Sequence, residues 1–295
     1  MKKLSAQFIS YSALVCAMII WSSSFIGLKI AFKGYNPMMV IFGRMFSASI
    51  IFLIFFRFLK KNKIQKNDIK YMVLMALFEP CLYFIFEAKA LQYTSAAQAG
   101  FITSLFPMTV GIGAALFLKE NVSYKTIIGF LIAAAGAAWL SFASDVTISA
   151  PNPILGNSLE FLAMVTGTGY VLILKKLSER YSPFFLTAVQ AFVGSIFFLP
   201  LMLLYTDIST LTFQPIPFFA TLYLGVGVTL GGYGLYNFAV SRMPANKATA
   251  FVNLIPIFAL IMAWFILGER LNFWQFIACS IIIAGVLISQ KGQKS

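Results

Sequence analysis

The stretch 96-AAQAGFITSLFPMTVGIGAALFLKE-120 and its counterpart 149 residues later, 245-ANKATAFVNLIPIFALIMAWFILGE-269, decide the fold between them. Each is apolar for some twenty residues, which is the length a helix needs to cross the roughly 30 Å hydrocarbon layer of a bilayer. Each carries a proline at the same place, Pro107 and Pro256, and each ends on a glutamate, Glu120 and Glu269. The same shift pairs Ala90 with Ala239, Ala99 with Ala248, Leu105 with Leu254 and Gly136 with Gly285. Further back, a shift of 146 pairs Ala17-Met18 with Ala163-Met164, Lys29 with Lys175, Tyr35 with Tyr181, and Pro37 with Pro183. The chain therefore reads as one unit written twice.

Working outward on the same ruler, spans are predicted at 8–31, 37–58, 69–89, 95–118 and 124–142, then at 154–174, 183–205, 217–240, 246–267 and 273–290. Asn36-Pro37, Ser182-Pro183 and Gln214-Pro215 are helix-start signals, and Ser149-Ala150-Pro151-Asn152-Pro153 reads as the linker between units 8–142 and 154–290. Five spans is an odd number, so the second copy must lie upside down relative to the first. The expected fold is an all-α integral membrane protein: ten transmembrane helices in two inverted five-helix repeats around a central cavity.

Composition agrees. Apolar residues make up 60% of the 295-residue chain and charged residues 11%, a balance that requires lipid as a solvent. The short basic start, Met1 to Gln7, runs into an apolar stretch followed by serines, which reads as a retained first span and not as a removable signal peptide. A net charge of +13 raises the question of nucleic acid, but the basic residues are placed as orientation signals. With the N-terminus inside, seventeen of the 22 Lys and Arg fall on the inner side, and only Lys29, Lys33, Lys89 and Arg270 on the outer, with Arg44 inside a span. Both termini are expected in the cytoplasm, with the bilayer as partner and no nucleic acid. There is no histidine, and Cys16, Cys81 and Cys279 sit singly in apolar runs, so no metal site or cofactor is expected.

Three of the nine acidic residues fall inside spans: Glu79, Glu87 and Glu160. A carboxylate in hydrocarbon costs a few kcal/mol and needs a partner, a wet cavity or a proton. Glu79, Tyr83 and Glu87 are spaced i, i+4, i+8, and Pro80 should loosen the helix beside Glu79. One reading is a polar stripe on a cavity wall, with Glu79 and Glu87 as proton-coupling candidates; the other is a structural pairing for Glu79 and a solvated Glu87. Thr229, Tyr233 and Asn237 make a comparable stripe in the eighth span, at a shift of 150. Arg44 could clamp a substrate carboxylate, but a structural ion pair with Glu87 or Glu160 is preferred. Glu120 and Glu269 are expected to cap the helices that follow them, and Pro107 and Pro256 to kink theirs. Trp21, Ser24 and Asn253 are further candidates for the cavity lining, which makes Trp21, Ser24, Glu79, Tyr83, Tyr233, Asn237 and Asn253 the expected substrate-binding set.

Trp21-Ser22-Ser23-Ser24-Phe25, Lys29, Pro37 and Arg44, then Ala90-Leu91, Ser95-Ala96-Ala97, Pro107, Phe117-Leu118-Lys119-Glu120 and Gly129 to Gly136, resemble the drug/metabolite transporter superfamily in its EamA-type members. The second copy contributes Ala245, Pro256, Leu267-Gly268-Glu269-Arg270 and Gly285; it departs in having Gly167 where a Trp would stand. The resemblance implies a basket of helices around a cavity lined mainly by helices 1, 3, 4, 6, 8 and 9. It also implies residence in a bacterial inner membrane, as a monomer or homodimer, and small-molecule substrates such as amino acids, other metabolites or amines.

No G-x-x-x-x-G-K-[ST], H-E-x-x-H or G-x-S-x-G motif occurs, which argues against ATP-driven pumping and against an enzyme. The expected function is a secondary transporter, exporting small metabolites by alternating access with proton coupling. The alternatives are an importer or facilitator of a nutrient and, in another class, a membrane-embedded enzyme acting on a lipid-like substrate.

Overall fold

The computed structural model describes residues 2–59, 64–118 and 123–292. Among the described residues nine helices are long and apolar enough to cross a membrane: α1 Gln7–Ala31, α2 Pro37–Ile54, α3 Lys66–Tyr93, α4 Ala96–Phe117, α5 Tyr124–Phe142, α6 Pro153–Leu177, α7 Pro183–Tyr205, α8 Pro215–Val240 and α9 Lys247–Leu267. A further helix, α10 (Phe273–Gly292), carries a shorter apolar stretch, Phe273–Ser289. No strand is present among the described residues. The linker contributes an isolated bridge between Thr147 and Ala150, and the amide of its Asn152 donates to the carbonyl of Tyr93 at the end of α3.

Helix starts follow the sequence closely. Asn36, Ser182 and Asn152 each precede a proline and accept a hydrogen bond from an amide in the first turn of α2, α7 and α6, satisfying groups the helix cannot. The largest departure is α3, expected over 69–89 but running from Lys66 to Tyr93. Its first turn lies beyond the apolar window because Asp68, buried there, pairs with Arg180 at 3.1 Å and accepts from Tyr181 Oη at 2.9 Å.

Packing joins α2 to α7, α3 to α6, α4 to α6, α1 to α8 and α9, and α5 to α10. The α5–α10 pair meets through glycines. A Cβ on Gly285 would lie 2.5 Å from the amide of Ala133 and 2.6 Å from the carbonyl oxygen of Gly129, both backbone atoms that cannot give way. Gly285→Ala is therefore expected to force the two helices apart and cost about 1–3 kcal/mol, the usual penalty of overpacking, seen as a lowered unfolding temperature in detergent. Around this core the outer face is apolar: Leu116, Phe117 and Phe265 are each more than 70% exposed, as lipid-facing side chains are.

Four of the helices are interrupted within their spans. In α3 Glu79 leaves the helix with φ −150° and ψ 117°, because Pro80 sterically bars the residue before it from the α region. In α4 the amides of Ser104 and Leu105 bond three residues back, just ahead of Pro107. In α9 residues Ala250–Leu254 tighten to a 3-10 turn before Pro256, and in α8 Leu224–Gly232 widen to a π-helix. These irregular turns surround one small space.

Candidate functional site

The break in α3 turns Glu79 toward the middle of the bundle. Its freed backbone carbonyl accepts from Gln190 Nε2 of α7 at 3.2 Å, so the interruption leaves no orphaned backbone oxygen there. Its carboxylate accepts a hydrogen bond from the hydroxyl of Tyr233 on α8. The Tyr233 ring lies 4.9 Å from that of Trp21 on α1, which also packs at a tilt against Tyr236 at 4.7 Å. Four helices, α1, α3, α7 and α8, thus meet at the Glu79–Tyr233 pair.

Arg44 on α2, 1% exposed, approaches from the other side. Its Nε donates to Thr229 Oγ1 at 2.9 Å, its guanidinium sits 4.0 Å from the centre of the Phe84 ring, and its Nη1 lies 3.7 Å from Glu87 Oε2. Glu160 on α6 is fully buried and accepts from Thr103 Oγ1 of α4 at 3.2 Å. Glu79 and Glu87 thus line one space with the Arg44 guanidinium, and Glu160 sits behind Thr103 of that lining, in a region where low dielectric magnifies every charge.

These groups enclose a cavity of about 30 Å³, room for about one water-sized solute, lined among others by Trp21, Ser24, Arg44, Glu79, Tyr83 and Glu87. Several polar atoms at this site have no hydrogen-bond partner: Trp21 Nε1, Arg44 Nη1, Glu87 Oε2 and Glu160 Oε2. Donors and acceptors are therefore both present and unmet, which is the chemistry that would receive a polar solute. Among the described residues no group of three His, Cys, Asp or Glu is arranged to hold a metal ion.

The structure brings together Trp21, Ser24, Glu79, Tyr83, Glu87 and Tyr233. Because Glu79 leaves the helix, it reaches the cavity through the break and not through the i, i+4, i+8 face it was assigned with Tyr83 and Glu87. Asn237 is not in the lining. It accepts from Tyr170 Oη at 2.6 Å and donates to Thr187 at 2.8 Å and Gln190 at 3.2 Å, a closed network behind the cavity. Asn253 also lies outside the lining, next to Val252, which is in it, and its amide nitrogen and oxygen have no hydrogen-bond partner. The lining also includes Thr103, Phe106, Tyr170, Val252 and Ile255, which the sequence reading did not select. The repeat points to one of them, since Tyr170 is 146 residues after Ser24; Thr103 with Val252 and Phe106 with Ile255 are pairs at the shift of 149 in which neither position carried a signal of its own.

Glu269 caps a helix other than the one that follows it in sequence. Glu269 was expected to cap the helix after it. Instead Gly268, at φ 70°, ends α9 in a left-handed turn, and the Glu269 carboxylate accepts from the amides of Ala96 at 3.1 Å and Ala97 at 3.0 Å. It caps the start of α4, 173 residues away in sequence, where the positive end of the helix dipole attracts it. Glu269→Gln, which keeps an acceptor but removes the charge, is expected to destabilise the fold by about 1 kcal/mol in thermal unfolding. Glu120 lies outside the described residues.

A sequence profile described as the EamA-like transporter family matches residues 8–142 and again 154–290. "Uncharacterized transporter YetK" of Bacillus subtilis is 27% identical over 286 residues, covering 95% of this chain and 86% of its own. An "Uncharacterized transporter" of Archaeoglobus fulgidus is 26% identical over 95% of this chain and 96% of its own. A "Probable terminal-alkyne amino-acid exporter" of Streptantibioticus cattleyicolor is 26% identical over 94% of this chain and 91% of its own. A crystal structure of a protein aligns over 98% of both chains with a TM-score of 0.66 at 16% identity, which establishes a shared fold alone.

Proposed function

The chain belongs to the EamA-like transporter family, and we propose that it is a secondary carrier that exports small metabolites such as amino acids or amines by alternating access, with Glu79 carrying the coupled proton. The observation that carries this reading is the enclosed cavity on which Glu79, Tyr233, Arg44 and Glu87 converge. At about 30 Å³ the cavity is closed down in this conformation; where the transport cycle widens it, a solute with an amine would meet carboxyl groups and aromatic faces, and a carboxylate would meet Arg44. The name of the Streptantibioticus cattleyicolor relative, "Probable terminal-alkyne amino-acid exporter", is in keeping with this substrate class and direction.

In this reading the protein has ten spans in two inverted halves with both termini in the cytoplasm, and several contacts support the pairing. Gln214 bonds Tyr35 Oη through its amide at 3.0 Å, and Gln65 bonds Tyr181 Oη in the same way at 3.1 Å. The tyrosines are 146 residues apart and the glutamines 149. Ser49 and Ser195, also 146 apart, bond each other at 2.9 Å. Arg44 reaches Thr229 as Gln190 reaches Glu79, and Arg44 and Gln190 are again 146 apart. Contacts that repeat with exchanged partners are what a two-fold axis between halves produces, and inverted halves carry their site at that axis.

Uptake into proteoliposomes of a panel of labelled amino acids and amines tests the function. One or more should show saturable counterflow when unlabelled substrate is loaded inside. Flux that never saturates, or no counterflow from any of them, would refute a carrier of this class.

A further inference from the structure

A second space, far larger than the central cavity and sharing no lining residue with it, lies between α3, α4 and α6. It measures about 790 Å³. Its walls are apolar along their length, with Leu74 and Phe78 from α3, Ile112 and Leu116 from α4, and Val165 and Leu172 from α6. The two threonine hydroxyls in the wall are already engaged. Thr168 donates to Thr109 at 2.8 Å and Thr109 to the carbonyl of Phe106 at 2.9 Å. Such a wall offers nothing to a polar solute.

One end of the crevice differs. Lys176 lines it, with Nζ 4.2 Å from the centre of the Tyr71 ring, and Lys70 Nζ lies 5.1 Å from the same ring. The carboxylate close by, Asp68, is held by Arg180 and Tyr181. The mouth is therefore cationic. From Phe161 to Lys176, both in the lining, is fifteen helical residues, or about 22 Å of rise. Half of a bilayer including its headgroups is about 20–22 Å thick. An apolar trough of one leaflet's depth, positive only at the headgroup end, matches one molecule in length, polarity and charge.

We propose that this crevice binds an anionic phospholipid, with an acyl chain along α3, α4 and α6 and the phosphate paired with Lys176 and Lys70. The chain fills space that would otherwise leave both walls without packing partners. The lysines discriminate by charge, as basic sites at helix ends do at anionic leaflets. The crevice adjoins the central cavity along α3, α4 and α6 but shares no lining residue with it.

The test offers purified full-length protein, stripped of lipid in detergent, equal amounts of dioleoylphosphatidylglycerol and dioleoylphosphatidylcholine, and counts retained lipid by native mass spectrometry. The protein should retain the phosphatidylglycerol in preference. Replacing both lysines, Lys176→Gln with Lys70→Gln, should erase the preference, by roughly fivefold for each lysine. Val165→Trp, which fills the trough, should lower retention of both lipids. Equal retention of the two lipids, retention of neither, or a preference unchanged in the lysine pair would each overturn the proposal. The lysine side chains are exposed, so that variant keeps the fold and decides the matter even where Val165→Trp does not fold.

Discussion

Glu79→Gln is expected to abolish accumulation driven by a pH gradient, down to the level of protein-free liposomes, while leaving the protein folded. The amide is close in size to the carboxyl and offers the Tyr233 hydroxyl the same acceptor, so the contact that ties α3 to α8 survives. The backbone bond from Gln190 is untouched, since it goes to the carbonyl of Glu79 and not to its side chain. What the variant loses is the ability to gain and release a proton in the cavity. Counterflow of substrate at equal pH on both sides needs no net proton movement and should persist. The two assays in parallel separate coupling from binding. A variant that still concentrates substrate against its gradient at the wild-type rate would remove Glu79 from the coupling step.

The largest effect on stability is expected at Arg44. Its guanidinium is buried, bonded to Thr229, stacked on Phe84 and set 3.7 Å from Glu87. Arg44→Met keeps much of the volume but strips Glu87 of its counter-charge, and breaking a buried pair on one side costs about 3–5 kcal/mol. The double variant Arg44→Met with Glu87→Gln should regain most of that loss, because neither charge then stands alone. Thermal unfolding of the four proteins of this cycle gives the coupling directly. A double variant no more stable than Arg44→Met alone would mean that Arg44 holds the fold through Thr229 and Phe84, with Glu87 incidental.

How much of this could be read from the sequence depended on the range of each contact. Helix starts were legible because a cap and a proline act within one turn, as at Asn36-Pro37 and Ser182-Pro183. The break at Glu79 was legible as a loosening, since Pro80 restricts its immediate neighbour, but the periodicity that put Glu79, Tyr83 and Glu87 on one face assumed a helix the proline does not allow. Glu269 was read as a cap from its charge, and the helix it caps was missed because Ala96 and Ala97 come near only through the packing of α4 against α9. Asn237 stands out by its place in the Thr229, Tyr233, Asn237 stripe and Asn253 by being polar inside a span. Polarity does not say whether a buried amide is satisfied by neighbours, as Asn237 is by Tyr170, Thr187 and Gln190, or faces open space. Phe106 and Ile255 went unnoticed because apolar side chains carry no such mark, although the repeat had already paired their positions.

Alternating access to the central cavity is tested most directly by the reach of a thiol reagent. In a chain with Cys16, Cys81 and Cys279 replaced, Ser24→Cys places one thiol in the lining between α1 and the Glu79–Tyr233 pair. A membrane-impermeant maleimide is then applied to right-side-out and to inside-out vesicles. The account predicts labelling from both faces, slowed from both by a transported substrate. Labelling from one face alone would contradict it.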